Sequence, residues 1–393
     1  MDSRASIYLS KLRHSLPWLV RYPFVRARSF LGRNAPGQKN LIFTIANHFE
    51  PSWKPSGLHD VDSQRRRVDK YYDLARKIGE AVHDSSGKKF HHTNFFPAEQ
   101  YDYQILEKMA AMQAEGLGEV EVHLHHGVGV PDTSENLKEV LTGFRDVLAE
   151  EHKCLSRMDD RSQPMYAFVH GNLALANSCG GRFCGVDNEM QILQETGCYA
   201  DMTLPSAPDQ SQVPIFNKIY EFGLPATERV PHRKGKNVST FGNDPQLPLI
   251  FTGPLVFDWT GWINRLLVPR IDNGALDANQ PMDMARLNRW TSANITVEGQ
   301  PEWIFIKLYC HGFIDEDQSA CIGEEAIRFF NKVIENGEKT NQFKVYFATA
   351  REACNMVLAA IDGQTGTPDK FRDYRLRTIM NGGRVNGNQI PLN

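Results

Sequence analysis

The sequence predicts an α/β fold, a (β/α) barrel of seven or eight units, on three observations. Short apolar runs of strand type alternate along the chain with longer segments of helical spacing. Gly116, Gly197 and Gly337 follow or end helical segments, where a left-handed C-cap is common. A chain of 393 residues is also long enough for one such barrel with extensions. Repeated strand–helix units imply a parallel sheet with helices outside it.

The predicted strands are short apolar runs bounded by turn residues. They comprise residues 41–47, 90–96, 119–125, 165–170, 200–204, 248–251 with 255–258, 303–309 and 343–348. The predicted helices have apolar residues three and four positions apart. They comprise residues 62–83, 101–115, 134–151, 186–197, 282–293, 323–336 and 350–361. Residues 205–247 are rich in Pro, Gly, Asn and Gln, and we expect a loop or small β-insertion there, over the strand ends.

The barrel is expected to span residues 40–362, with a C-terminal tail at 363–393. Residues 1–39 form a basic, amphipathic extension, in which eight Lys and Arg residues face a single acid. Trp18, Phe24 and other apolar residues lie between the basic ones. Such a segment suits peripheral contact with an anionic membrane. The alternative is a helix docked on the body of the protein with its arginines in solvent.

Composition excludes several classes of protein. The formal net charge is −3, with 41% hydrophobic and 23% charged residues, so no nucleic-acid partner is expected. The seven cysteines form no Cys-x-x-Cys pair, which argues against a disulfide framework and against a thiolate zinc site. The chain shows no apolar run of transmembrane length. The expected location is the cytoplasm, with membrane contact limited to the inner face.

The most informative segment is residues 119–129, which read EVEVHLHHGVG. Alternate side chains of a strand share a face, so His123 and His125 are expected to point the same way, with His126 beside them. Imidazole is the commonest nitrogen ligand for Zn²⁺ and related ions, and further ligands would come from other strands. The segment therefore predicts a divalent metal site, with zinc the first choice.

The carboxyl ends of parallel strands in a barrel converge on one mouth, and chemistry is expected there. Histidines end the first, third, fourth and seventh predicted strands, which surface histidines would have no reason to do. The polar and aromatic residues expected at the mouth are His48, Glu50, Trp53, His123, His125, His126, His170, Asn172, Asp201, Asp258, Trp259 and His311.

Four segments together resemble the polysaccharide deacetylases of the glycoside hydrolase/deacetylase (β/α)-barrel superfamily. They are residues 93–96 (TNFF), 106–110 (LEKMA), 119–123 (EVEVH) and the strand that ends in His311. The likeness covers about residues 41–350. It implies a barrel of that type, a metal held by an Asp and two His, an adjacent Asp as base and a late-strand His as acid. His123 matches the first metal histidine and His311 the acid.

The chain departs from this pattern at two places. Ala46-Asn47 stands where the family has two aspartates, and Gly127 stands where the second metal histidine is expected. Residues 48–53 (HFEPSW) are instead similar to the His-x-Asp-Pro-Gly-Trp pattern of zinc-dependent α-mannosidases, whose His and Asp bind zinc. This likeness implies that His48 and Glu50 replace the missing ligands.

The resulting expectation is a metal-dependent hydrolase that removes N- or O-acetyl groups from a polysaccharide or oligosaccharide. The metal ligands would be His48, Glu50, His123, His125 and His126. The catalytic residues would be His311, Glu50 and Asp201, and the substrate-binding residues Trp53, Asn172, Asp258 and Trp259.

Two alternatives remain open at this point. A glycoside hydrolase of the same superfamily would need two carboxylates flanking the scissile bond, and Glu50, Asp201 and Asp258 are available. A barrel without activity could instead bind carbohydrate or serve in assembly, which the missing aspartate pair would explain. Clustered histidines argue against this second alternative, because a scaffold has no need of them.

Overall fold

The computed structural model describes residues 13–33, 37–54, 57–159, 162–260, 262–263, 266–267 and 269–380. Its α-helices, apart from a helical segment at residues 13–19, are α1 Tyr22–Arg33, α2 Val61–Ala81, α3 Tyr103–Ala114, α4 Ser134–Glu150, α5 Glu189–Glu195, α6 Met284–Ala293, α7 Gln318–Cys321, α8 Glu324–Thr340 and α9 Ala350–Ile361. In the described part of the chain, no helix combines the length and the apolar character needed to cross a membrane.

The strands follow the helices in alternation over much of the chain. They are β1 Lys39–His48, β2 Trp53–Lys54, β3 Gly57–Leu58, β4 His92–Pro97, β5 Gly118–Leu124, β6 Ser156–Arg157, β7 Tyr166–His170, β8 Cys198–Asp201, β9 Ile219–Phe222, β10 Gly235–Asn237, β11 Leu249–Phe251, β12 Val256–Asp258, β13 Trp262–Ile263, β14 Leu266–Leu267, β15 Arg270–Asp272, β16 Ala275–Leu276, β17 Trp303–Cys310, β18 Phe343–Phe347 and β19 Arg377–Thr378.

A large, mostly parallel sheet forms the centre of the fold, which confirms the predicted α/β class. Its hydrogen-bonded order is β10-β9-β11-β8-β7-β5-β4-β1-β17-β16, and β18 pairs with the first half of β1. Among the described residues no ladder joins the outer strands β10 and β16, so closure into a barrel is not shown. The outer strands β9 and β10 run antiparallel to their neighbours and come from the segment 205–247, the predicted insertion.

Side chains on the two faces of the sheet belong to two cores. Leu41, Phe43 and Ile45 of β1 pack on the face covered by helices α2, α3, α4 and α8. Ile42 and Ala46 pack on the opposite face, where every residue of α9 is buried. Burial on both faces explains why the strands read as continuous apolar runs. By the same alternation, the side chain of His48 lies on the same face of β1 as those of Ile42 and Ala46.

Most predicted elements match the structure to within a few residues, with two corrections. The predicted strand 255–258 is β12, which pairs antiparallel with β15 outside the main sheet. Gly337 lies inside α8, which continues to Thr340 and ends at the left-handed Asn341 (φ 53°). Gly116 and Gly197 do have positive φ values, 73° and 93°, at helix ends.

The N-terminal segment is docked on the body rather than detached, as far as it is described. Trp18 is 1% exposed, and its ring lies 6.0 Å from that of Phe216 and 5.7 Å from that of Phe257. Arg26 donates to the carbonyl of Ser292 over 2.8 Å. Residues 1–12 of the predicted extension lie outside the described residues.

The first residues of the predicted C-terminal tail also belong to the packed body. Arg372 is buried and forms ion pairs of 2.9 Å with Asp84 and Glu352. Leu376 is fully buried, and β19 pairs with β6. The packed body therefore extends at least to residue 380, and residues 381–393 lie outside the described part.

Candidate functional site

The end of β1 and the end of β5 bring three predicted ligands together. Ligand atoms of His48, Glu50 and His123 all lie within 4.8 Å of one another, and all three residues are buried. The rings of His48 and His123 are 5.0 Å apart. Phe49, fully buried between His48 and Glu50, donates its backbone N–H to the carbonyl of Phe95 and fixes this corner. We call His48, Glu50 and His123 the first site.

The hydrogen bonds of His123 determine which nitrogen faces the site. Its Nδ1 lies 2.7 Å from the carbonyl oxygen of Val169, which only accepts, so Nδ1 carries the proton. Nε2 lies 3.1 Å from Oε1 of Glu50. A neutral imidazole would therefore place two acceptors face to face. A cation or a second proton must lie between them, and this donor set fits a divalent metal.

His125 lies beside the first site and joins it to a carboxylate that the sequence had not indicated. Its Nδ1 lies 2.6 Å from Oε1 of Glu99, and its Nε2 lies 3.3 Å from Oε1 of Glu50. Burial lowers the pKa of His125, but the hydrogen bonds to Glu50 and Glu99 outweigh it and raise that pKa to about 10. Glu99 follows the end of β4, and that position is the only signal in the sequence.

Electrostatics in this cluster favour an ionised Glu50 and a neutral His48 beside a protonated His125. Burial raises the pKa of Glu50, but hydrogen bonds from His123 and His125 hold it well below its usual value. Burial, reinforced by His311 and His123, lowers the pKa of His48 well below its usual value. Neutral imidazole is the form that binds metals.

His311 faces the same cluster, as its position after β17 predicted. Its ring lies 4.5 Å from that of His48 and 6.4 Å from that of Tyr309. Burial lowers the pKa of His311. His311 is not among the group whose ligand atoms converge, so it lies beside a metal position.

Asp201 lies on β8 as part of a separate buried pair. Its carboxylate accepts a hydrogen bond of 2.7 Å from the hydroxyl of Thr203, and burial raises its pKa to about 7. Lys307 on β17 donates to the carbonyl of Leu204 over 2.9 Å, and burial lowers its pKa to about 7. The charge of each offsets part of the other's burial cost.

The four predicted substrate-binding residues are dispersed. Trp53 is 38% exposed on β2, and Asn172 is exposed directly after the end of β7. Asp258 lies on β12, 3.5 Å from Arg289, and Trp259 is 56% exposed beside it. Trp53 donates its backbone N–H to the carbonyl of Glu50 over 3.1 Å, but among the described residues no side chain of the four hydrogen-bonds to or stacks with a side chain of the first site. The apolar sequence of β12 is typical of a strand in the main sheet, so Asp258 and Trp259 were expected at the barrel mouth. β12 instead pairs with β15 outside that sheet.

His126 belongs to another cluster. β5 ends at Leu124, so strand alternation no longer sets its direction, and it turns towards α5. Buried His126, His170, Cys184 and Glu189 lie close enough together to hold a metal ion, with ligand atoms within 4.8 Å of one another. We call these four residues the second site. The position of His170 at a strand end is a signal in the sequence, whereas nothing in the sequence singles out Cys184 or Glu189.

The chain was compared with protein-family models, with curated proteins and with solved structures, and none of them matches it. The function is therefore proposed from the chemistry of the first site and from the family resemblance of the sequence.

Proposed function

We propose that the protein is a metal-dependent hydrolase that removes acetyl groups from a carbohydrate, with His48, Glu50 and His123 as metal ligands. The observation that carries this proposal is the contact of 3.1 Å between Glu50 Oε1 and His123 Nε2, two atoms that both accept when His123 is neutral. His48 completes a set of two imidazoles and one carboxylate, a ligand set of catalytic zinc sites.

Exposure distinguishes this site from a purely structural one. Catalytic zinc sites have three protein ligands and keep one position open for water or substrate. Glu50 is almost buried, but the side chain of His125 beside it is 26% exposed, so the cluster reaches the surface on that side. A divalent ion held there by His48, Glu50 and His123 would polarise a carbonyl and lower the pKa of water towards 7.

The surrounding side chains supply the proton transfers that deacetylation needs. Glu99 orients His125 through Nδ1, so Nε2 points to the site. A metal bound to Glu50 would offset the charge that keeps Nε2 protonated, and the freed Nε2 would accept the proton of the attacking water. His311 lies next to His48, and its protonated form would donate a proton to the leaving amine or alcohol. Glu50 then serves as a ligand and is not needed as the base.

The same contacts favour deacetylation over glycoside hydrolysis. A glycosidase needs two carboxyl groups free to flank the scissile bond. Glu50 and Glu99 instead contact opposite nitrogens of one imidazole, that of His125. The carbohydrate as substrate class follows from the family resemblance of residues 41–350, and from that alone.

The test combines metal analysis with acetate release from N-acetylated and O-acetylated oligosaccharides. We expect the wild-type protein to bind metal at the first site and to release acetate. His123→Gln should lose that metal and the activity, whereas His83→Gln, at an exposed histidine, should lose neither. Cleavage of glycosidic bonds without acetate release would favour the glycosidase. A protein with metal but neither activity would favour a binding role.

We also propose that the N-terminal segment contacts an anionic membrane surface. Its described part exposes a row of apolar side chains, Leu16 (50%), Val20 (66%), Phe24 (76%) and Phe30 (62%). Arg13 and Arg21 are exposed in the same segment. Each cation near such a surface contributes about 1 kcal/mol of attraction, and the aromatic rings suit the interface.

A further inference from the structure

We propose that the second site, His126, His170, Cys184 and Glu189, binds a second metal ion of the zinc class, and that this ion is structural. It would join the loop after β5 to the segment between β7 and α5. This site does not depend on the proposed activity of the first.

The tautomers of both histidines are fixed by their outer nitrogens. Nδ1 of His170 lies 2.5 Å from the carbonyl oxygen of Gly171, and Nδ1 of His126 lies 2.9 Å from a carboxylate oxygen of Asp132. Both Nδ1 atoms therefore carry protons, and both Nε2 atoms point inwards. Histidines that bind a metal through one ring nitrogen usually donate the N–H of the other to a carboxylate or a carbonyl oxygen.

The three atoms that face inwards carry too few protons to hydrogen-bond with one another. Nε2 of His126 lies 3.0 Å from Nε2 of His170 and 3.1 Å from Oε1 of Glu189, and the last two are 3.4 Å apart. In the neutral histidines all three atoms are acceptors. One extra proton on His126 could satisfy one of these contacts fully, whereas a cation satisfies all three.

Cys184 supplies the fourth ligand. Its Sγ lies 3.5 Å from Oε2 of Glu189 and is buried. Tetrahedral zinc with the usual bond lengths requires ligand atoms about 3.3–3.6 Å apart, close to the separations seen here. Binding releases the thiol proton of Cys184, and any extra proton on His126 leaves with it.

The burial of the site indicates its role. His126 is 7% exposed, and His170, Cys184 and Glu189 are fully buried. Structural zinc sites are closed by four protein ligands, and no position remains for a substrate. The first site, by contrast, has three converging ligands and a partly exposed neighbour in His125.

The backbone around the second site shows what such an ion would hold. Gly127 has a left-handed φ of 63°, and a Cβ there would lie 2.0 Å from the carbonyl oxygen of Cys184. The same carbonyl accepts a hydrogen bond of 2.8 Å from the backbone of Asp132. The segment 171–188 is otherwise irregular, with several left-handed residues. A long irregular segment of this kind needs specific contacts to stay ordered.

The second site also adjoins the first. A Cβ on Gly171 would lie 2.4 Å from Cδ2 of His125, so the backbone after His170 packs directly against that ring. An ion that fixes His170 thus fixes one wall of the first site. His170 is a positioning residue in this account and does not touch the substrate.

The test is metal stoichiometry combined with the absorption spectrum of the Co²⁺-substituted full-length protein. We expect two ions per chain and a thiolate-to-cobalt charge-transfer band. Cys184→Ser should lose the band and one ion, and its melting temperature should fall. Cys179→Ser, at another buried cysteine, should keep the band and both ions. His123→Gln should lose the other ion and keep the band, so failure at one site is distinguishable from failure at the other.

A second measurement covers the case in which Cys184→Ser does not fold. In the wild-type protein, removal of metal by a chelator should make Cys184 reactive towards an alkylating reagent, and added Zn²⁺ should protect it again. A Co²⁺ protein without a thiolate band, or a Cys184 whose reactivity is the same with and without metal, would overturn the proposal.

Discussion

His125 lies between two carboxylates, with Nδ1 2.6 Å from Glu99 and Nε2 3.3 Å from Glu50. One of these carboxylates belongs to the first site and the other lies outside it. The ring of His125 therefore joins the first site to a second carboxylate nearer the surface. This relationship distinguishes His125 from the fully buried His123 two residues earlier on the chain.

Glu99 is predicted to orient His125 for proton transfer. Glu99→Gln keeps the shape of the side chain but removes its charge, so turnover should fall by about 10–100-fold, as for other outer partners of catalytic groups. The Michaelis constant should change little, because Glu99 does not contact substrate in this account. Steady-state kinetics test this. Glu107→Gln is the matched control, since Glu107 contacts His152 over 2.9 Å elsewhere. Equal effects of both variants would contradict the role.

His311 is predicted to act in proton transfer and not as a ligand. His311→Ala should lower turnover by about 10²–10⁴-fold while the metal content of the first site stays at the wild-type level. Elemental analysis of the purified variant measures this second quantity. Loss of the first-site metal in His311→Ala would show that the residue is a ligand.

Asp201 is predicted to make stability depend on pH. Burial raises its pKa to about 7 in the folded protein, above the unfolded value near 3.8, so the folded state keeps the proton up to a higher pH. Between about pH 4 and 7, its contribution to the free energy of unfolding therefore falls as pH rises, by up to about 1.4 kcal/mol per pH unit. Asp201→Asn should remove this dependence of the free energy of unfolding on pH, whereas Asp73→Asn, at an exposed position, should not. Urea unfolding across this range is the measurement, and parallel slopes for wild type and Asp201→Asn would contradict it.

Phe24 and Phe30 are predicted to contribute to membrane binding without contributing to folding. Their exposed fractions are 76% and 62%, so the double variant Phe24→Asp/Phe30→Asp should melt like the wild type. Its sedimentation with anionic vesicles should be weaker, and wild-type binding should weaken with salt. Trp18→Ala serves as the contrast, because loss of this buried ring should cost about 3–5 kcal/mol of stability. Equal vesicle binding by wild type and the double variant would exclude a membrane role for these rings.

The sequence indicated the sheet well because its strands are buried on both faces. Strand β1 is buried almost throughout, and its central residues 41–46 are apolar apart from Thr44, with no competing helical period. The predicted strand at 255–258 looked the same, yet β12 pairs with β15, since a short apolar run does not specify its partner. The local sequence pattern likewise could not predict whether the sheet closes into a barrel, because closure depends on how the outermost strands pair.

The site could be predicted in part for a similar reason. The grouping of His48, Glu50 and His123 follows from the ends of β1 and β5, two strands that both pair with β4. Glu99 and Glu189 could not be singled out, because their histidine partners are distant in the chain. His126 was assigned to the wrong group because the strand ends at Leu124, where the alternation that fixes His123 stops.

The most direct test of the central claim is a crystal of the full chain grown with Zn²⁺, with anomalous diffraction measured at the zinc edge. We expect an anomalous peak between His48, Glu50 and His123, with nitrogen–metal distances of about 2.0–2.1 Å. No peak at this position, with Glu50 and His123 still in direct contact, would contradict the claim that these residues form a metal centre.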